Sequence, residues 1–383
     1  MNKIVITSIA SLSSLGHETN LVWQNYLDSK HYLKQDIKLS NSWIATLPEH
    51  SQLVIGELKS SDSKYKQLDN SVLFAIATSR IAIKNAGWSS NDNFGINIGS
   101  SRGATTLFEQ HLETFLATGS VPILASPNTT LGNISSWVAH DLQTTGPEIS
   151  HSITCSTALH ALLNGVAWIR SGMSNKFLVG GSEAALTPFT MAQMHSLKIY
   201  AKPNNEDYPC KTLDLQKKHN TLVLGEGAAM CCLEKYVGQK HVAIVEAVGY
   251  ATEILEHNIS ISAEATCFQK SMKMALQNIE ISEIDAIVMH APGTIKGDLA
   301  EFTAIEKVFG NRIPALTSNK WKIGHTFGAS GMLSVELAVM MLTNQQFIGV
   351  PFLDYTIIPK KINKILVNSV GFGGNAVSII IGL

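Results

Sequence analysis

Charge is scarce in this sequence. Its 383 residues include 29 Lys and Arg against 30 Asp and Glu, and the charged fraction of 15% lies well below the roughly one quarter usual in soluble domains. So little charge implies that much of the chain is buried, and the near balance of signs leaves no basic footprint for nucleic acid. Cysteine is sparse too. The five residues, at 155, 210, 231, 232 and 267, form no CxxC pair and cannot all be bridged in one chain, which argues against zinc and for reduced thiols in a reducing compartment. Nowhere do roughly 18 uncharged apolar residues run together, and Met1-Asn-Lys-Ile-Val-Ile-Thr-Ser8 lacks the long apolar region of a signal peptide. The expectation is a soluble, cytoplasmic protein without a membrane span.

What the sequence does contain is an alternation of short apolar runs and amphipathic segments, the pattern of an α/β protein. Residues 3–8 read as a first buried strand, followed by a Ser/Gly turn and a helix carrying Leu21, Val22, Trp23 and Leu27. Residues 30–69 are polar and poorly periodic. A helix over Ser71–Ala86 stops at Gly87, and Phe94–Ser100 reads as a central strand. The stretch 101–135, with a helix-like segment Leu107–Leu116 between Gly- and Pro-bearing loops, is too large for a simple connection and reads as an insertion over a site or at a subunit interface. A helix over about 131–142 precedes the Cys155 region, and strands at Lys176–Gly181 and Ala228–Leu233 close this half.

The second half repeats the plan. A strand at 242–248, a helix through Met272, Ala275 and Leu276, and a strand Ala286–His290 lead to a helix opened by Asp298 and Glu301 as a capping box. A strand at Ala315–Thr317, a glycine-rich turn 324–331, an apolar helix Met332–Leu342 and strands Ile365–Ser369 and Ala376–Ile381 complete it. One βα unit duplicated, with halves 1–236 and 237–383, accounts for this order. Duplication would bring the starts of the two central helices together near a pseudo-twofold centre.

The first of those helix starts is His151-Ser-Ile-Thr-Cys155-Ser-Thr-Ala-Leu-His160. Leu159, Leu162, Leu163, Val166 and Ile169 recur at helical spacing, with Arg170 in the last turn and Gly172 as a C-cap, so Cys155 stands at a helix N-terminus. There the helix dipole favours a thiolate, and the sequence predicts a lowered pKa and a nucleophile. A cysteine in an apolar chain is more often a small buried hydrophobe. Three second-half turns weigh against that reading. His290-Ala-Pro-Gly-Thr294, Ser318-Asn-Lys320-Trp-Lys-Ile-Gly-His325 and Gly371-Phe372-Gly373-Gly374 each follow an apolar strand at its C-terminal end, where such sheets build sites. No nucleotide is expected, because Gly225-Glu226-Gly227 leads into a strand whereas the dinucleotide fingerprint opens a helix.

Taken in order, several segments carry a family resemblance: Leu15-Gly16, Thr154-Cys155-Ser156-Thr157-Ala158, Gly225-Glu226-Gly227-Ala228, and His290-Ala-Pro-Gly-Thr294 with Asp298. Ser318-Asn-Lys320 spaced from Gly324-His325, and Asn368-Ser-Val-Gly-Phe372-Gly-Gly-Asn375, complete the set. Over nearly its whole length the chain resembles the β-ketoacyl-acyl-carrier-protein synthases of the elongating Cys-His-His type, in the thiolase superfamily. The resemblance implies a duplicated, five-layered αβαβα fold with two mixed central sheets. It implies that Cys155 accepts an acyl group from carrier-protein phosphopantetheine, and that His290 and His325, as neutral donors, stabilise the enolate formed when a malonyl thioester loses carbon dioxide. The N–H groups of Cys155 and Phe372 would form the oxyanion hole. Lys320 would orient His290, with Asp298 as its partner and Glu226 in support. Thr294 would hold phosphopantetheine, and Gly371–Gly374 would form a gating turn. No bound cofactor or metal is implied. The partners are an acyl carrier protein and a second ketosynthase-like chain, in a homodimer or heterodimer.

Three departures stand out from the family pattern. Pro292 replaces a turn hydroxyl, Lys211-Thr-Leu-Asp214 replaces Arg-Pro-Phe-Asp, and Lys218-His219-Asn220 replaces Arg-Asp-Gly. They resemble a divergent subgroup of the bacterial aryl-polyene or flexirubin kind, in specialised polyene, lipid-like or fatty-acid biosynthesis. The rival readings are a non-catalytic chain-length-factor-like subunit, which usually lacks the nucleophile, and a thiolase or coenzyme-A-using initiating synthase, which would carry a Cys-His-Cys or Cys-His-Asn set.

Overall fold

The computed structural model describes residues 3–131, 133–203, 206–254, 261–355 and 357–383. Gly132, which falls in both the expected insertion and the helix expected over about 131–142, lies outside the described residues. The large sheet has ten strands: β1 (Ile4–Leu12), β2 (Gly95–Gly99), β3 (Glu148–Ile149), β4 (Lys176–Glu183), β5 (Gly227–Lys235), β6 (Ala243–Thr252), β7 (Ala286–Val288), β8 (Ala315–Thr317), β9 (Lys364–Gly371) and β10 (Asn375–Gly382). The helices that cover it are α1 (Asn70–Ala86), α2 (Asn133–Leu142), α3 (Thr157–Arg170), α4 (Thr266–Ala275), α5 (Ile295–Phe309) and α6 (Ser330–Asn344).

Strand order is β3-β2-β4-β5-β1 in the first half and β8-β7-β9-β10-β6 in the second, so adding five to each strand number turns one half into the other. The pairings repeat as well. β2 runs parallel to β3 and β4, and β5 antiparallel to β4 and β1; β7 and β10 do the same with their counterparts. The two mixed five-stranded sheets meet edge to edge through the antiparallel pairs Ile4↔Val245, Val5↔Ile244 and Ile6↔Ala243, which join them into one ladder.

α3 and α6 lie between the two sheets, α1 and α2 cover one outer face, and α4 and α5 the other. The result is five layers. The central core interleaves Leu159, Leu162 and Val166 of α3 with Met332, Leu333 and Leu337 of α6, and each fully buried side chain of this kind contributes roughly 2 kcal/mol. Outer cores form around Val72 and Ile76 of α1 and around Phe268 and Ile305 of α4 and α5. Because α6 has a sheet on either side it is apolar nearly all round. Phe327–Asn344 is thus long and apolar enough to cross a membrane, yet 89% of it is buried in the core. The two central helix starts do come together. A Cβ at Gly331 would lie 2.8 Å from the Leu159 side chain, a close approach that glycine permits.

Several local expectations fail. The stretch 30–69 contains a helix, Glu49–Ser61, and the strands Lys34–Asp36 and Ser42–Ala45, which with Leu224–Gly225 make a small three-stranded sheet. The helix buries only Ser51, Ile55 and Leu58, too narrow a stripe to show as periodicity. A helix at Pro188–Ser196 was also not anticipated. β7 ends at Val288, so His290 sits in the turn beyond the strand. Within the expected insertion, a helix runs over Thr105–Thr118 and buries none of its residues, leaving Phe108, Leu112, Phe115 and Leu116 exposed.

Candidate active site

Cys155 is held by a tight turn between β3 and α3. Thr157 locks it from inside: its hydroxyl donates to Thr154 O at 2.6 Å and accepts from Ile153 N at 2.8 Å. Thr154 takes a left-handed backbone, φ 46°, a cost that a functional turn tolerates when its surroundings enforce it. Ala291 and Phe327, beside His290 and His325, also have positive φ, at 23° and 42°. Hydroxyls from the second half then grip the Cys155 backbone, since Cys155 O accepts from Ser369 Oγ at 3.2 Å and from Ser330 Oγ at 3.5 Å.

The predicted thiolate does not survive this burial. Loss of hydration pushes the Cys155 thiol up to about 12, and the Glu183 carboxylate adds to the rise, while Lys320 and Arg102 oppose it. The residue precedes the N-cap, Ser156, and the dipole is outweighed by desolvation. Its alkylation by iodoacetamide is therefore expected to quicken about tenfold per pH unit above pH 7. Intact mass reads this directly, and a plateau by about pH 8 would mean that the thiolate is already formed.

The two histidines face one another, with ring centroids 5.3 Å apart at 84°. His290 is placed by its main chain: its N–H and that of Ala291 donate to Glu301 at 2.9 and 2.8 Å, and Asn368 Nδ2 donates to the same carboxylate at 3.2 Å. His290 Nδ1 lies 3.5 Å from Ser369 Oγ, so one hydroxyl touches both the Cys155 backbone and the imidazole. His325 is pinned to the Gly225 segment, donating to Val223 O at 2.7 Å and accepting from Gly225 N at 3.1 Å. Its Nδ1 is buried without a hydrogen-bond partner among the described residues. Burial, reinforced by the Lys320 charge, holds both imidazoles well below their ordinary value, so both are neutral at pH 7. Lys320 is itself lowered by burial, against the charge of Glu301 as its main partner.

Gly371 brings the last turn against the first. A Cβ there would lie 2.1 Å from Thr154 Oγ1 and 2.6 Å from Ile153 O, so no larger residue fits. Gly373 and Gly374 have φ of 88° and 70°, and Phe372 projects between them and Gly371. Among the described residues, neither the Cys155 nor the Phe372 amide donates to a backbone or side-chain oxygen. Two cavities converge there, sharing Cys155, Phe327 and Phe372. One, of about 380 Å³, carries His290, His325, Pro292 and Thr294; the other, of about 320 Å³, runs under the helix Thr105–Thr118 past Arg102.

Cys155, His290, Lys320, His325 and Phe372 are thus brought together. Asp298 is not where it was expected. The N-cap of α5 is Thr294, whose hydroxyl accepts from Gly297 N at 3.1 Å, and Asp298 lies in the helix, where it binds Lys217 Nζ at 2.7 Å and the Gly293 and Leu213 amides. Its carboxylate clamps the His290 turn to the 213–217 segment, while the charge of Glu301 acts on Lys320 first and that of Asp298 more weakly. Glu226 turns away, accepting from Leu47 N at 3.1 Å. Sequence reasoning gave Glu301 only a capping role and missed the parts played by Lys217 and Ser369, and also Glu183, which accepts from Ser100 Oγ and from the Ser101, Arg102 and Gly328 amides at 2.8–3.1 Å. A carboxylate on the last residue of an apolar strand was the available signal. Among the described residues, no three His, Cys, Asp or Glu side chains gather as a metal site.

Comparison with known proteins bears on this geometry. Residues 1–237 match the beta-ketoacyl synthase N-terminal domain, and residues 242–351 the beta-ketoacyl synthase C-terminal domain. The chain is 26% identical over 407 residues to 3-oxoacyl-[acyl-carrier-protein] synthase 2 of Coxiella burnetii, covering 97% of this chain and 96% of that one. It is 26% identical over 416 residues to the Staphylococcus aureus protein of the same name, covering 98% and 97%. Among solved structures, the ishigamide ketosynthase/chain length factor superposes with a TM-score of 0.89 at 20% identity, over 100% of this chain and 99% of that one, a likeness of fold.

Proposed function

The chain belongs to the β-ketoacyl synthase family, and on that premise we propose that it elongates acyl chains carried on an acyl carrier protein by decarboxylative Claisen condensation. The observation that carries this reading is the convergence of two cavities on Cys155, one of them bearing both neutral imidazoles. In the first step the Cys155 sulfur attacks the acyl thioester carbonyl. Its new C–S bond forms as the carrier's C–S bond breaks, and the thiol proton leaves with the pantetheine sulfur. The neutral resting thiol suits this order, because the proton is needed by the leaving group.

A malonyl thioester then enters the larger cavity. His290 and His325 donate N–H to its thioester carbonyl while the bond to its carboxylate breaks and carbon dioxide departs. The electron pair left on the α-carbon attacks the acyl-Cys155 carbonyl, whose oxyanion is met by the Cys155 and Phe372 amides, a donor of this kind being worth roughly 3 kcal/mol. Cys155 is released and takes a proton from solvent. Lys320 and Glu301 set the charge and position of His290. Thr294, although it caps α5, lines the same cavity and is the hydroxyl assigned to the pantetheine arm.

The exposed apolar face of Phe108, Leu112, Phe115 and Leu116 supports a second chain of the same fold as partner, either a copy or a chain-length-factor subunit. All five cysteines are free and buried, which supports a cytoplasmic setting. The departures at Pro292, Lys211 and Lys218 support a specialised pathway of the aryl-polyene or flexirubin kind. Incubation with acyl-loaded carrier protein is expected to add the acyl mass to Cys155 in intact-protein and peptide spectra. No adduct with any chain length or partner chain would remove the nucleophile and the proposal with it.

A further inference from the structure

The two cavities that meet at Cys155 differ in chemistry. The larger is walled chiefly by apolar side chains such as Met194, Ile199, Leu222 and Phe268, with Asn220, Thr294 and Lys296 as its polar groups beside the histidines. The smaller, which leads away from the histidines and is the place left for the acyl chain, is walled by Ser101, Arg102, Glu109, Thr129, Thr190 and Gln193 among its aromatic residues. A saturated chain packed here would strip water from these groups and return no hydrogen bond.

Arg102 is the most constrained of them. Its amide is held by Glu183 at 3.1 Å, one Nη donates to Gln193 Oε1, and its guanidinium carbon lies 5.1 Å from the centroid of the Phe327 ring, which borders Cys155. A fork held by one Nη and by a ring face retains further N–H donors for a ligand. Glu109 stands on the same wall and accepts from Thr187 Oγ1 at 2.5 Å, so the cavity carries one charge of each sign. A free carboxylate on the substrate would be repelled by Glu109; a neutral oxygen would not.

We propose that this cavity selects acyl groups carrying a neutral hydrogen-bonding oxygen, a ketone or hydroxyl, along the chain, with Arg102 as the residue that determines the selection. The inference rests on the acyl transfer to Cys155 set out above. It is tested with octanoyl, 5-oxo-octanoyl and 7-oxo-octanoyl thioesters of N-acetylcysteamine, measuring the rate of Cys155 acylation by intact mass. At least one oxo chain is expected to react roughly tenfold faster than octanoyl, the effect of one hydrogen bond to a charged donor. In Arg102→Met, and to a lesser degree in Gln193→Leu, the ratio is expected to fall towards one. Because a ratio is read within each protein, partial unfolding of a variant cancels. Octanoyl reacting as fast as both oxo chains, or a ratio unmoved in Arg102→Met, overturns the selectivity and leaves acyl transfer standing. No adduct from any of the thioesters overturns both.

Discussion

Cys155→Ala is expected to abolish the acyl adduct while sparing decarboxylation of malonyl-carrier protein, and His290→Ala to do the reverse. The two can be separated because different groups position them. The Cys155 turn is locked by Thr157 and by Ser369 Oγ on its carbonyl, whereas His290 is hung from Glu301 through its own amide. Removing the imidazole leaves Ser369 on the Cys155 carbonyl. Loss of the nucleophile should lower condensation by on the order of 10⁴-fold or more. Loss of one imidazole donor should lower decarboxylation by about 10²- to 10³-fold. Intact mass reads the first activity and carbon dioxide release the second. If His290→Ala also loses the adduct, His290 acts in acyl transfer and its assignment here is wrong.

Glu183→Gln is expected to cost about 2–5 kcal/mol of stability, since it sets an NH₂ against buried donors that a carboxyl oxygen now accepts from. Glu183 Oε1 accepts from Ser100 Oγ and Arg102 N, and Oε2 from Ser101 N and Gly328 N. The carboxylate therefore ties the loop after β2 to the turn before α6, one from each half of the molecule. Burial raises it to about 7, outweighing those donors. A folded-state value above the ordinary one means that its contribution is fully present below the ordinary carboxylate range and declines as pH rises through about 7. Gln cannot titrate, so the variant should lose that part of the pH slope as well as stability. Thermal and urea unfolding at pH 5 and pH 8 measure both effects, and a loss under about 0.5 kcal/mol at both pH values would show that the loop is held by other contacts.

The main turns of the site were readable in the chain. Cys155, His290, Lys320, His325 and Phe372 each stand where an apolar run ends and polar groups begin, and the parallel strands of an α/β sheet expose their C-terminal ends on one side. Duplication was equally readable, because order of elements survives when identity between the halves does not. Other assignments failed where a local rule offered a sufficient explanation. Asp298 and Glu301 satisfied a capping box, yet Thr294 caps α5, and the two carboxylates face Lys217 and the His290 amide instead. The spacing of two acids does not say whether they answer their own helix or the turn that precedes it.

By itself, then, the sequence determined the duplicated α/β order, the helix start that carries Cys155 and the three turns opposite it, since these depend on periodicity and on residue types along the chain. Tertiary structure alone decided the charge state of Cys155, the partners of Lys320 and Asp298, the Glu183 clamp and the polar wall around Arg102. Helix position is a local property, whereas desolvation depends on everything that packs around the sulfur, and here the second outweighs the first.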